Sequence, residues 1–140
     1  MASRYRVRGE KGQELIEFAL VLPLILLLLL GIAEFGIAIM RYNTIANAAR
    51  EGARYGIIHS SPSQYVDIVD AARRLTIGLD QDAVNVVVEY DEATYVIQVT
   101  VTYDHNLITG PVIAAVGGSG TIPLQASAKM RVEQVPTSSP

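Results

Sequence analysis

The hydrophobic pattern divides this chain into stretches with different periods. From Phe18 to Met40 the side chains are almost continuously apolar and leucine-rich, with Glu34 as the one charge. A helix rises about 1.5 Å per residue, so this run would reach roughly 35 Å against a hydrocarbon core of about 30 Å. That predicts a single membrane span with some tilt. Pro23 should kink it, and Gly31 and Gly36 should loosen it, features that membrane helices tolerate. The apolar stretch Leu107 to Val116 is too short for a second span and contains Gly110 and Pro111.

Beyond Met40 the helical period persists while the composition changes. Tyr42, Ile45, Ala46, Ala49, Gly52, Ala53 and Gly56 recur at spacings of three and four, and Asn43, Asn47, Arg50, Glu51 and Arg54 take the other side. One helix is therefore expected from Gln13 to about Ile57. Its second half presents a face of small residues that a partner can approach closely. The expected partner is the domain's own sheet, because residues 59–133 alone would make a marginal core.

Ser61-Pro62-Ser63-Gln64 predicts a second helix start, with Ser61 as cap, Pro62 in the first turn and Gln64 completing a capping box. Tyr65, Ile68, Val69, Ala72, Leu75 and Leu79 form its apolar stripe, and Gly78 marks its end. The period then falls to two. Val84, Val86, Val88 and Tyr90 predict one strand, and Ile97, Val99, Val101 and Tyr103 a second, joined as a hairpin through Asp91-Glu92-Ala93. Ile122, Leu124, Ala126, Ala128, Met130 and Val132 predict a third strand, with Pro123 placing its start at an edge. The connection 104–120 is read as a loop with an apolar middle. It either folds onto the sheet or forms a lip against the membrane surface or a partner pilin. Fold class is α+β: a long, partly transmembrane N-terminal helix, then a small domain with one more helix and about three antiparallel strands.

Charge adds direction. Arg4, Arg6, Arg8 and Lys11 precede the span, which keeps the N-terminus cytoplasmic and exports the remainder across the inner membrane. The net charge of −3 gives no support for nucleic-acid binding. With no cysteine, there is no disulfide framework or thiol nucleophile. His59 and His105 lack the spacing of a metal site and are expected as solvated loop side chains. Asp80, Asp82, Asp91 and Glu92 flank strand ends, where aspartate serves turns. No nucleophile elbow, phosphate loop or supported carboxylate pair is present, so the chain reads as a non-enzyme that needs no cofactor or metal.

Three blocks carry a resemblance. They are Gly12-Gln13-Glu14-Leu15-Ile16-Glu17-Phe18 continuing into Ala19 to Pro23, then Glu34-Phe35-Gly36, then Ala48-Ala49-Arg50-Glu51-Gly52-Ala53-Arg54-Tyr55. Val99 to Tyr103 and Ala126 to Glu133 add to them. Together they resemble the TadE-like family, the pseudopilins of tight-adherence (Flp) pilus systems. The resemblance implies a minor pseudopilin or assembly factor whose leader a prepilin peptidase cuts between Gly12 and Gln13. Glu17 would then be the fifth residue of the mature chain, meeting the N-terminal amine of a neighbouring subunit. It implies membrane lipid, the peptidase and other pilin-like subunits as partners, and a homo- or hetero-oligomer through the N-terminal helix.

The residues themselves leave other uses open. Glu17 also fits an interfacial glutamate in reach of water, Arg8 or Lys11. Glu34 is a weaker assembly candidate near the exported end, with Arg41 two turns away. Ala48, Gly52 and Gly56 form a small-residue ladder for helix packing, either between subunits or onto the chain's own strands. Arg50, Glu51 and Arg54 fit a docking patch or a solvated face. The resulting organisation is a basic leader at 1–12, a transmembrane helix at 13–40, an exported domain at 41–133 that includes helix 41–57, and a flexible tail at 134–140. Two rival functions remain. One is an uncut single-pass envelope protein whose exported domain binds a partner. The other is a secreted domain starting at Ile39, released by signal peptidase at Gly36-Ile37-Ala38.

Overall fold

Two helices cover one face of a three-stranded antiparallel meander in the computed structural model, which describes residues 10–59 and 61–132. The leader residues 1–9 and the tail from 133 lie outside the described residues. Helix α1 runs Glu10–Gly56 with Pro23 inside it, and α2 runs Tyr65–Arg73. Strands β1 (Val84–Asp91), β2 (Val96–Asn106) and β3 (Thr121–Arg131) follow in order, with a short helix α3 (Gly110–Ala115) between the last two. This is the α+β class expected from the periodicity. By compactness the chain forms two units, Met1–Gly36 and Ile37–Pro140.

In the first unit α1 is long and apolar enough to cross a membrane. Leu20, Leu24 and Leu28 are among its exposed side chains. A water-soluble protein does not leave so long an apolar surface uncovered, so a lipid environment is the physical complement of this segment.

In the second unit the sheet is one-sided. Ile97, Val99 and Val101 of β2 are fully buried, and Val84, Tyr103 and Ala126 join them from the three strands. Their neighbours Asn85, Glu89, Gln125 and Lys129 face water, as alternation in a half-covered antiparallel sheet requires. Burying each such aliphatic side chain contributes about 1.5–3 kcal/mol. The cover is α2, through Ile68, Ala71 and Ala72, and the second half of α1, through Ile45, Ala48, Ala49 and Ala53.

The approach of α1 depends on its glycines. A Cβ at Gly52 would stand 3.0 Å from Val99 Cγ1 and 3.1 Å from Ala72 Cβ. One at Gly56 would press on Ile97 Cδ1 and Ile68 Cδ1. Neither Val99 nor Ala72 has a long side chain that can swing aside, so Gly52 is the tighter constraint.

Several local expectations are corrected. Tyr42 is exposed; Arg41, one position earlier, turns toward the sheet instead. Leu75 is exposed and Thr76 fully buried, because after Arg73 the helix tightens to a 3₁₀ turn over Arg74–Thr76. Three residues per turn, rather than 3.6, rotate Thr76 inward. There its hydroxyl donates to the Arg73 carbonyl (2.8 Å), and its own carbonyl accepts from Gln81 Nε2 (2.9 Å). The capping box does not form. A 3₁₀ turn at Pro62–Gln64 precedes α2, and the Ser61 hydroxyl donates to Gln64 Oε1 at 2.6 Å rather than accepting a backbone amide. Gly78 lies beyond the helical turns in the left-handed region, at φ 97°.

The connection after β2 is not a simple loop. Gly117 sits at φ 86° and donates to the Ala114 carbonyl (3.0 Å), while Gly118 donates to Ile113 (2.9 Å). This pair of bonds closes α3 in a Schellman turn. Gly110 and Gly120 meet backbone to backbone, with Leu107 N–H donating to the Gly120 carbonyl at 2.9 Å.

Two predictions follow from these contacts. Gly52→Leu should destabilise the second unit by about 2 kcal/mol through overpacking, whereas Gly31→Leu, with nothing within 4 Å of its Cβ position, should not. Chemical denaturation of the full chain in detergent, followed by tyrosine fluorescence, checks this. At the β1–β2 turn, the Thr94 hydroxyl (2.6 Å) and then the Ala93 amide (2.9 Å) donate to Asp91 and hold its carboxyl below the usual carboxylate range. A depressed folded-state pKa stabilises the fold above the unfolded value, and that contribution fades as pH falls through the folded value. Carboxyl NMR titration should place Asp91 below the usual carboxylate range, and Thr94→Val should move it up.

Candidate functional site

The N-terminal end of α1 carries Gly12, Gln13 and Glu17, the residues singled out at the junction. Glu14, Glu17, Phe18 and Val21 lie at helical spacings of three and four, so they share one face and line a shallow depression of about 300 Å³. Gln13 and Glu17 are exposed on α1, and nothing approaches the Cβ position of Gly12 within 4 Å. The Gly12–Gln13 bond lies within the first turn of α1, since the helix begins at Glu10 rather than at Gln13. Helix ends fray, so the first turn is the part of α1 that opens most readily.

Glu34 differs from Glu17. It is only 7 % exposed, whereas its neighbour Phe35 is 67 % exposed. A carboxylate in that setting is withdrawn from solvent rather than extended toward it.

The ladder residues Ala48, Gly52 and Gly56 all face inward in the second unit. Ala48 is fully buried, and the glycines meet Val99, Ala72, Ile97 and Ile68. That face is occupied by the chain's own α2 and β2. On the outer side, Arg54 Nε donates to Glu51 Oε2 (2.9 Å) and its Nη2 to Oε1 (2.5 Å). This two-point contact lowers the Glu51 pKa and raises that of Arg54. Arg50 donates to Asn47 Oδ1 at 3.2 Å. Pairs of this kind on an exposed helix face contribute little to stability.

Of the two histidines, His59 follows α1 in a loop as expected and His105 does not. His59 stacks on Tyr55, with ring centroids 4.1 Å apart and planes at 5°. His105 is 1 % exposed and belongs to β2, which runs three residues beyond Tyr103. The alternation Ile97, Val99, Val101, Tyr103 continues onto His105, and that parity was the available signal. Arg41 Nη1 donates to His105 Nδ1, and the Arg41 guanidinium lies 5.5 Å from the Tyr103 ring centroid, in cation–π range. A guanidinium only donates, so Nδ1 accepts through its lone pair and the ring proton sits on Nε2. Arg41 thereby fixes the first turn of α1 beyond Met40 to the far end of β2.

The acidic residues near strand ends serve turns. Asp80 accepts from the Asp82 amide at 3.2 Å, and Asp91 closes the hairpin. Among the described residues no three of His, Asp or Glu gather in a metal-binding group. The groove at the hairpin end is open and lined by Glu89, Asp91, Thr94, Gln98 and Lys129, with the Thr94 hydroxyl engaged by Asp91 in the turn.

The family described as TadE-like protein matches residues 12–54. That segment contains the Gly12–Phe18 junction, Glu34-Phe35-Gly36 and most of the Ala48–Tyr55 block, so this part of the chain is similar to that family. No curated protein and no solved structure matches the chain.

The Arg41–His105 contact predicts a tautomer. Imidazole ¹⁵N shifts of the full chain should show His105 protonated at Nε2 and bare at Nδ1, and the reverse tautomer would exclude donation from Arg41. Arg41→Ala should cost about 1–3 kcal/mol of stability in denaturant titrations.

Proposed function

We propose that this chain is a minor pseudopilin or assembly factor of a Tad-type pilus, held in the membrane by α1. The observation that carries this is the TadE-like match over residues 12–54, laid on a helix that can cross a membrane. In this reading the leader is cytoplasmic, the second unit is exported across the inner membrane, and a prepilin peptidase cuts between Gly12 and Gln13. The cut creates a cationic amine four residues before Glu17. A carboxylate at the edge of an apolar segment is costly unless a cation answers it, and the amine of a neighbouring chain is such a cation. Glu17, exposed beside Phe18 and Val21, is available for that pairing. Glu34 is the weaker candidate of the two. Its partners would be the peptidase, membrane lipid and other pilin-like subunits, and the subunit contact would run through the N-terminal half of α1.

One observation favours a second reading, in which the chain stays uncut as a single-pass envelope protein. The Gly12–Gln13 bond lies inside α1, and a peptidase must first open that turn.

Intact mass of the protein from its host's membranes separates the two. A chain beginning at Gln13 is expected, and a chain retaining Arg4 to Lys11 would remove the pseudopilin mechanism. If cutting occurs, Glu17→Leu should leave membrane levels unchanged and reduce surface pili by at least tenfold, counted by electron microscopy. Undiminished pili would rule out Glu17 as the assembly carboxylate.

A further inference from the structure

Contacts within the second unit fix the direction of α1 against β2. Gly56 of α1 packs on Ile97 of β2, Gly52 on Val99, and Arg41 bonds to His105. Helix and strand therefore run antiparallel, and the end of β2 lies level with Arg41. Arg41 directly follows Met40, where the apolar run stops. Everything attached to that end of the sheet lies near the level at which α1 leaves the apolar run. Attached there are the segment from Leu107 to Ile122, with α3, its flanking turns and the start of β3, and the turn Gln81–Ala83 that leads into β1 opposite Tyr103.

Three features of that segment agree. Ile108, Val112 and Val116 are 58 %, 61 % and 84 % exposed, and Ile122 at the start of β3 is 44 % exposed. No charged residue occurs between Asp104 and Lys129. On α1, Ile39, Met40 and Tyr42 are exposed at the same level, and tyrosine is favoured where a chain crosses from lipid to water. The charges at that end, Asp80 and Asp82 before β1 and Asp104 on β2, lie outside the segment, and the opposite end of the sheet carries Glu89, Asp91 and Glu92 around the hairpin turn.

We propose that α3 and its flanking turns rest on a lipid surface, with Ile108, Val112 and Val116 inserted at the boundary between headgroups and acyl chains. This rests on the reading of α1 as a membrane anchor. The occupant is lipid rather than a protein groove because the exposed apolar side chains sit at the level of Met40, where the apolar run of α1 stops. An uncharged apolar surface at that depth matches the interface, while a charge there would be costly. With no basic residue in the segment, the contact is apolar and independent of anionic headgroups. The contact gives the second unit another point of attachment besides α1.

Because the chain has no cysteine, single thiols report each site. The full chain carrying Val112→Cys, Val116→Cys, Leu27→Cys or Ala93→Cys is spin-labelled and reconstituted in phosphatidylcholine vesicles, with and without phosphatidylglycerol. Collision rates with oxygen and with a water-soluble nickel chelate are compared. The oxygen-to-nickel ratio at Val112 and Val116 should exceed that at Ala93, in the hairpin turn, by at least threefold, with no dependence on phosphatidylglycerol. A ratio equal to that at Ala93, with Leu27 in lipid, would overturn the α3 contact and leave the anchor intact. Exclusion of both reagents at Val112 and Val116 would mean that protein covers α3, and would also overturn it. A watery Leu27 would remove the anchor and the proposal together.

Discussion

The second unit depends on a close approach between a helix with almost no side chains on one face and a strand of branched residues. Gly52 and Gly56 let α1 come against Val99 and Ile97, and Ala48, Ala49 and Ala53 continue that face. A sheet with one apolar face must bury that face against another element. Here α2 supplies part of the cover in three buried positions, Ile68, Ala71 and Ala72. The remainder comes from α1, the helix that also carries the apolar run. The small domain is thus not an independent module appended to an anchor, because its core includes residues of the anchoring helix.

This arrangement bears on how a small-residue ladder should be interpreted. In membrane helices, such ladders commonly mark contact between helices. Here the residues beyond Met40 that form it are occupied within the chain, whereas the leucine-rich face before Gly36 is uncovered. Subunit contact, if it runs through α1, therefore has the N-terminal half available and not Ala48, Gly52 or Gly56. The exposed Glu51–Arg54 pair remains a solvated feature of the outer side.

Much of the fold was legible in the sequence because two periods dominate it. Period two located all three strands, and the small-residue spacing located the packed half of α1. The misplacements arose where geometry changes without a change in composition. A 3₁₀ turn after Arg73 exchanged Leu75 for Thr76 at the buried position, which no apolar pattern signals. β2 was ended at Tyr103 because Asp104 and Asn106 are polar, yet those are the outward positions and His105 keeps the inward parity. α3 was hidden by its brevity and by the glycines at both ends, which serve its Schellman closure and the backbone contact between Gly110 and Gly120. For the N-terminal junction, residues 12–18 carry chemistry in their identities and spacing. Neither helicity nor burial adds to that chemistry, because Gln13 and Glu17 lie on the open surface of a single helix.

The register between α1 and β2 also has a temporal consequence. Gly52 and Val99 are distant in sequence, and the intervening chain includes α2, β1 and the hairpin turn. Contacts of such separation close late, after local hairpins and helices have formed. The glycine–alanine face of α1 is therefore made long before the strand that will cover it. Until β2 arrives, that face is open to any neighbouring helix, and the time the sheet takes to close sets how long a newly made chain can exchange partners before it commits to itself.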